Sequence, residues 1–425
     1  MSIRRLHVRL PSRNRAWWLL FLFALGIRLA CALLMDGFRH PQLFEYEDLA
    51  RSLVAGHGFA YRHLGVVYYS FAPPLYSWLC ASIYLAGGTV VAVMTLQMCL
   101  SAVLAVVAAD LAERLFGDRG AGLAAGVLVA LHPGLIVYAS TKAHPLTLDA
   151  FFFTAVLGLF WYMAERPTLL RAMASGFFVG IGALSRSTVV VFLPIGALWA
   201  LLANPRHRWP ALAGKWILAG LCAAVVIAPW AVRNTLLHGQ FVWMLTTDGE
   251  VLWRGNNPCA TGHSYLNANS IVLDTLTPAE RRDLRSQPDE VAQSRWFRER
   301  AWAFIKSDPG RFIRLTLTKL YSFWWFSPQT GVEYARGWLV GYQVFYGLIL
   351  VLGAFGAWSI AGSGNASARW QLALLVLFLI ALSTLQSLYY VEGRHRWAVE
   401  PLLLVTAGGG VATICRRWQA RRAES

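Results

Sequence analysis

Residues 89–113 read TVVAVMTLQMCLSAVLAVVAADLAE, and the first charged side chain in the run is Asp110. A helix needs about 20 mostly apolar residues to cross the hydrocarbon core of a bilayer. The run meets that length and is read as a membrane-spanning helix. Comparable runs lie at 16–35, 119–138, 146–163, 170–184, 188–203, 213–231, 338–361, 369–388 and 397–414. Together they predict an all-α polytopic membrane protein with about ten transmembrane helices. A spanning β-barrel would show short alternating segments in place of continuous apolar runs.

The rest of the chain agrees. Of its 425 residues 57% are hydrophobic and 14% charged, with mean hydropathy +0.47. Soluble domains have roughly 45–50% apolar and about 25% charged residues. The net charge of +16 would suggest nucleic acid in a soluble protein, but its distribution points elsewhere. Arg4, Arg5, Arg9, Arg13 and Arg15 precede the first run, and Arg416, Arg417, Arg421 and Arg422 follow the last. Alternate connections carry Arg114 and Arg119, Arg166 and Arg171, then Arg206, Arg208 and Lys215. This is the positive-inside pattern. It places both termini in the cytoplasm, requires an even number of spans and gives no reason to expect a nucleic-acid partner. The 16–35 stretch is too long for a signal-peptide core and reads as a signal anchor. The six cysteines form no CxxC, so neither a zinc site nor a redox pair is indicated.

The chain reads as a single integral membrane unit, 1–425, with no repeat of fixed period. Two polar segments lie on the outer side, 36–88 and 232–310. In the second, Thr277-Pro278-Ala279-Glu280 is a capping box with Pro at the first helical position. A further helix is expected from Asp289 to Lys306. The segment 311–327 carries Arg311, Arg314 and Lys319, and is read as interfacial or re-entrant.

Chemistry is expected where polar residues gather on that outer side. In FEYEDLARSLVAGHGFAY, a helical wheel over 43–55 puts Leu43, Tyr46, Leu49, Ala50, Leu53 and Val54 on one arc. Glu45, Glu47, Asp48, Arg51 and Ser52 fall on the other. This describes an interfacial helix, with Gly56, His57 and Gly58 ending it. Glu47 and Arg51 pair at i,i+4, which leaves Glu45 and Asp48 as neighbouring carboxylates. Glu45 sits at the apolar edge, where desolvation suits a general base. The plainer alternative is a solvated polar face. Pro73-Pro74 starts a second short helix, 75–86.

In the second outer segment, APWAVRN brings out Arg233 and Asn234, and Arg254 and Asn256 stand in a Gly/Asn/Pro-rich stretch; a membrane-exit anchor and turns would also account for them. Before the last span, Arg394, His395 and Arg396 sit where the positive-inside rule disfavours them. An anionic ligand gives such residues a reason; snorkelling is the alternative. Lys142, His144 and Arg186 lie in other outer turns and can join the same cluster.

In this order the elements resemble the C-type membrane glycosyltransferases. Specifically, the chain is similar to the bacterial branch of the protein O-mannosyltransferase and lipid A aminoarabinose transferase superfamily. The strings that carry the resemblance are FEYEDLARSLVAGHGF, APPLYSWLCASIYLAGG, LVALHPGLIVYAS, ALSRSTVVVFLP, APWAVRN, LWRGNNP and GRHRWAVEP. The resemblance implies transfer of a sugar from a polyprenyl-phosphate carrier to a lipid, glycan or protein acceptor, with inversion, outside the bacterial cytoplasmic (inner) membrane. It implies a first-loop carboxylate as base, Glu45 or Asp48. Donor-phosphate binding is expected of Arg394, Arg396, Arg186 and Lys142, and substrate binding of Tyr46, His57, Arg233, Arg254, Asn256 and His395. Two positions depart from the family pattern. Gln42 stands where relatives carry an acid, and Ala72 where the aminoarabinose transferases carry a lysine. A monophosphate leaving group does not demand a divalent metal, no dense acidic cluster suggests one, and no cofactor is expected. The competing reading is a transporter or lipid-carrier flippase. It calls for ionisable residues at mid-membrane and duplicated halves; the sequence offers Arg28 and no duplication.

Overall fold

The computed structural model describes residues 10–267, 270–326 and 335–424. Arg4, Arg5, Arg9 and Ser327 lie outside the described residues. The first helix, α1 (Leu10–Leu34), leads into the first outer segment. That segment holds α2 (Glu45–Val54), strands β1 (Tyr61–His63) and β2 (Val66–Tyr68), and α3 (Leu75–Leu85). Then follow α4 (Val90–Phe116), α5 (Arg119–Ala130), α6 (Pro133–Thr141), α7 (Leu146–Glu165), α8 (Leu169–Ser185), α9 (Phe192–Leu202) and α10 (Trp209–His238). The second outer segment contributes α11 (Asp248–Gly255), β3 (Tyr265–Asn267), β4 (Ser270–Ile271), α12 (Pro278–Arg285), α13 (Glu290–Ser307) and α14 (Pro309–Trp324). The chain closes with α15 (Arg336–Ala361), α16 (Ala366–Ser387), α17 (Gly393–Trp397) and α18 (Glu400–Glu424).

The long helices run between two ends of one bundle. At one end Arg114 at the close of α4 reaches Glu165 of α7 at 4.0 Å, and Gln371 near the start of α16 reaches the same carboxylate at 3.5 Å. Trp199 of α9 donates to Trp370 O at 2.7 Å, and Arg416 of α18 pairs with Asp118 before α5. The connections rich in Lys and Arg are therefore at this end. At the other end Arg186 after α8 donates to Gln386 of α16 at 2.9 Å, and both outer segments pack there. The basic end also receives the last helix. Among the described residues six helices are long and apolar enough to cross a membrane, and the bent pair α5–α6, at 49°, makes a seventh if it is one span. The helix α8, the 3-10 turn Ser187–Val191 with α9, and α18 traverse the bundle between the same ends but are shorter or end in charge. Ten spans with both tails on one side is thus the topology we propose.

Local chemistry explains the breaks. His132 caps α6 by accepting from Leu135 N at 3.1 Å, Pro133 follows at the first helical position, and the run 119–138 divides there. The last carbonyls of α5 are met by Arg28. Its buried guanidinium donates to Ala130 O at 3.1 Å, Val129 O at 3.3 Å and Ser101 Oγ at 2.7 Å. Arg28 is therefore a structural residue, and the one feature that spoke for a transporter has a packing role. Gly408, Gly409 and Gly410 let α18 close on its neighbours, because a methyl at each would collide with Ala125, Phe116 and Leu352. Small residues are what allow helix backbones to approach in a membrane.

The second outer segment has its own core of Trp253, Val272, Leu273, Leu276, Leu284, Trp296, Phe297 and Ala301. The expected capping box at Thr277 and Glu280 is present, and the second helix covers Glu290–Ser307. The preceding span runs on to His238, so Arg233 and Asn234 belong to its last turns instead of opening a loop. The two outer segments are clipped together by Glu290. Its carboxylate accepts from Tyr69 N at 2.7 Å, Ser70 N at 3.2 Å and Thr246 Oγ1.

Candidate active site

The first outer segment positions two carboxylates. In α2 the acids Glu45, Glu47 and Asp48 occupy the first turn, where the helix dipole favours negative charge. Leu49 and Ala50 are buried and Tyr46 and Leu53 half-buried, as periodicity required, whereas Leu43 lies before the helix and is exposed, as is Val54. Glu47 differs from its expected place on the solvated arc. It is buried, accepts from Tyr84 of α3 at 2.5 Å and pairs with Arg51 at 3.0 Å. Tyr84 covers the face that the wheel left open. Glu45 is half-buried and Asp48 exposed, and among the described residues neither has a hydrogen-bond or ion-pair partner. Tyr46, between them and the bundle, sets its ring edge against Tyr76 at 5.7 Å and His144 at 5.9 Å. Burial, the Glu45 charge and Asp149 raise the Tyr46 hydroxyl pKa, while Arg394 and Arg186 oppose them. Tyr46 therefore feels both the carboxylate and the cations.

The cations come from three connections. Lys142 follows α6 and is laced to the first segment, with Gln42 N donating to Thr141 O at 2.8 Å and Ala143 N to Gln42 O at 3.0 Å. Its Nζ donates to Gln42 Oε1 at 2.6 Å and lies 4.8 Å from the Tyr138 ring. A carboxylate at position 42 would neutralise this lysine; the amide holds it and leaves its charge uncancelled. Arg186 is shared between Asp149 at 3.3 Å and Gln386 at 2.9 Å. Arg394 pairs with Glu392 at 2.9 Å. Burial, then Arg394, Arg186 and Lys142, hold the His144 pKa well below the usual imidazole range. Burial, then Arg186, Arg394 and His144, do the same for His395. Both imidazoles are thus neutral at pH 7 within a field set by the three cations.

The remaining candidates lie elsewhere. Arg396 is 1% exposed and turned into the bundle. It donates to Glu400 at 2.5 Å and to Trp325 O at 2.8 Å, and stacks on Tyr346 at 3.9 Å. His132 completes that buried group on Glu400. With every donor direction taken up inside the protein, Arg396 does not join the Arg394 cluster. Arg233 spans Tyr69 O at 2.5 Å and Asn234 Oδ1 at 2.9 Å, pinning the first outer segment. Arg254 lies in the last turn of α11, not in a turn region, and pairs with Glu250, whose other oxygen meets His63 at 2.9 Å. Burial would raise the Glu250 pKa, but Arg254 and then His63 outweigh it and hold it down to about 2. Asn256 is fully buried, donating to Leu388 O at 2.8 Å and accepting from Lys319 at 3.0 Å. His57 is exposed in the turn between Gly56 and Gly58, both at φ +78. The reading missed Glu250, Glu290, Asp149 and Gln386. A lone acid at the start of the apolar run 146–163 was the signal for Asp149; the others had none.

Lys319 gives a pH-dependent expectation. It lies on α14, outside the spans, is 0% exposed, and has a backbone carbonyl and an amide as partners in place of a carboxylate. Burial pushes its pKa down from 10.5 to about 7. The unfolded chain then holds more protons than the folded one between those values, so stability rises with pH there, by up to about 1.4 kcal/mol per unit. The thermal midpoint of wild type relative to Lys319→Met should climb from pH 7 to 9; parallel profiles would contradict it.

Among the described residues no group of three or more His, Cys, Asp or Glu is placed to hold a metal ion.

Residues 72–232 match the family described as dolichyl-phosphate-mannose-protein mannosyltransferase. That match takes in Lys142 and Arg186 but neither Glu45 nor Arg394. The chain is 25% identical over 421 residues to an undecaprenyl phosphate-alpha-4-amino-4-deoxy-L-arabinose arabinosyl transferase of Pseudomonas paraeruginosa, covering 96% of this chain and 72% of that one. A protein of the same description from Pseudomonas aeruginosa is 28% identical over 230 residues, 52% of this chain and 41% of its own. The solved oligosaccharyltransferase of Archaeoglobus fulgidus superposes with TM-score 0.59 at 12% identity, over 98% of this chain and 52% of that chain. The latter likeness is one of fold, and the chain spans about half the length of that enzyme.

Proposed function

We propose that this chain is a membrane glycosyltransferase of the C-type fold, and that it transfers a sugar from a polyprenyl-phosphate carrier to an acceptor hydroxyl or amine, with inversion. The observation that carries the reading is Glu45. It is a half-buried carboxylate with no partner among the described residues, and through Tyr46 it shares its surroundings with Arg394 and Arg186. Both arabinosyl transferases it resembles are named for an undecaprenyl-phosphate donor. A lipid phosphate seated among Arg394, Arg186 and Lys142 puts the anomeric carbon on the side facing α2.

Glu45 takes the proton from the acceptor as the acceptor oxygen or nitrogen attacks the anomeric carbon in line. The bond to the phosphate oxygen breaks, and the charge that develops there meets preorganised cations. Lys142 is held by an amide, whereas Arg186 and Arg394 are each partly cancelled, by Asp149 and Glu392. Neutral His144 and His395 line the same space without adding charge to it. The site lies on the periplasmic face of a bacterial inner membrane, with both tails cytoplasmic. The test is donor consumption in proteoliposomes charged with labelled polyprenyl-phosphate sugars; if the wild type uses none of them, the assignment fails.

Three basic side chains suffice for a monophosphate leaving group, so we propose that transfer needs no divalent cation. Transfer should keep at least half its rate in excess chelator. A loss above tenfold, restored by one added metal, would overturn that proposal.

A further inference from the structure

A cleft lies at the basic end, across the bundle from the sugar-transfer site. It has a volume of about 480 Å³ and is walled by Phe116, Trp358, Ser359, Ser363, Arg416 and Arg417. That size suits a small ligand or head group. Its two arginines differ. Arg416 is neutralised by Asp118 and also donates to Thr413 at 3.2 Å. Arg417 has no hydrogen bond or ion pair among the described residues, and its guanidinium lies 5.3 Å from the Phe355 ring and 6.0 Å from that of Trp358. Arg421 follows one turn further along the same helix and does not line the cleft. An exposed apolar face leads away from the cleft, made by Val351 (68% exposed), Trp358 (62%) and Ile414 (48%). A free phosphate has no use for such a face, whereas an acyl chain does. Basic pockets between membrane helices bind anionic head groups in this manner, and tryptophan anchors at the level where head group meets chain.

We propose that this cleft binds an anionic phospholipid from the leaflet at the basic end, with its phosphate on Arg417 and an acyl chain along Val351, Trp358 and Ile414. The site is separate from the donor cluster, so the lipid is a structural partner and not a substrate.

The experiment uses the full-length protein in neutral detergent, with added phosphatidylglycerol, phosphatidylcholine or inorganic phosphate. Thermal midpoints and lipid retention in native mass spectrometry are read together. Phosphatidylglycerol should raise the midpoint and stay bound, and the other two should do neither. Arg417→Gln should weaken phosphatidylglycerol binding by about fivefold, the effect of one interfacial basic residue. Arg421→Gln, outside the cleft, should leave it within twofold. Trp358→Ala, on another wall, is the independent second variant and should also weaken it. Equal binding of phosphatidylcholine, equal protection by inorganic phosphate, undiminished binding by both cleft variants, or an equal loss in Arg421→Gln would each overturn the proposal.

Discussion

Replacing Glu45 with Gln should lower sugar transfer by about 10²–10⁴-fold, the usual contribution of a positioned general base, with the thermal midpoint unchanged. The substitution keeps the shape of the side chain and removes only its ability to take a proton. Nothing in the fold depends on the carboxylate, because among the described residues it accepts no hydrogen bond and faces no cation directly. Asp48→Asn is the matched control. Asp48 is exposed one turn along the same helix, and its loss should change transfer by less than about twofold. If the two variants exchange these behaviours, Asp48 is the base; if both retain full activity, the proton goes elsewhere.

The second expectation separates two arginines two residues apart. Arg394→Gln should lose about 10²–10³ in transfer, as when one preorganised donor to a developing oxyanion is removed, at a smaller stability cost than a change at Arg396, because the side chains of its pair with Glu392 are 25% and 12% exposed. Arg396→Met should show the reverse order of damage. It leaves Glu400 buried with His132 and Tyr342 but without its guanidinium. Breaking a buried ion pair from one side costs about 3–5 kcal/mol, enough to cut the yield of folded protein or drop its thermal midpoint by several degrees. Activity per folded molecule should suffer less than in the Arg394 variant. A stable Arg396 variant with no transfer would return that residue to the phosphate cluster.

The contrast between these arginines shows where reading the sequence stopped. Charge against the positive-inside bias marked Arg394, His395 and Arg396 together, and all three are buried or half-buried near the outer end. On a helix of a single turn, neighbours two apart point apart. Which one faces the cavity depends on Glu400, Tyr346 and Trp325, and nothing in GRHRW names them. Glu47 is a similar case. The wheel placed it correctly on the helix, but the hydroxyl that buries it comes from Tyr84 on another helix. Glu290 and Glu250 looked like ordinary acids of a polar segment; their partners are backbone amides at 69–70 and His63.

The chain alone determined its membrane architecture: the helices, the two polar outer segments, the basic end, the interfacial helix and its Glu47–Arg51 pair. Each is a sum of local terms, transfer free energy along a run or geometry within a turn, and such sums survive without knowledge of the rest. Only the tertiary structure decided which ionisable residues meet. Asp149, Arg186 and Gln386, or Gln42 and Lys142, come together because helix packing brings distant segments to one depth. Whether a carboxylate there is cancelled or left free, as Glu45 is, depends on those neighbours and not on its own surroundings in the sequence.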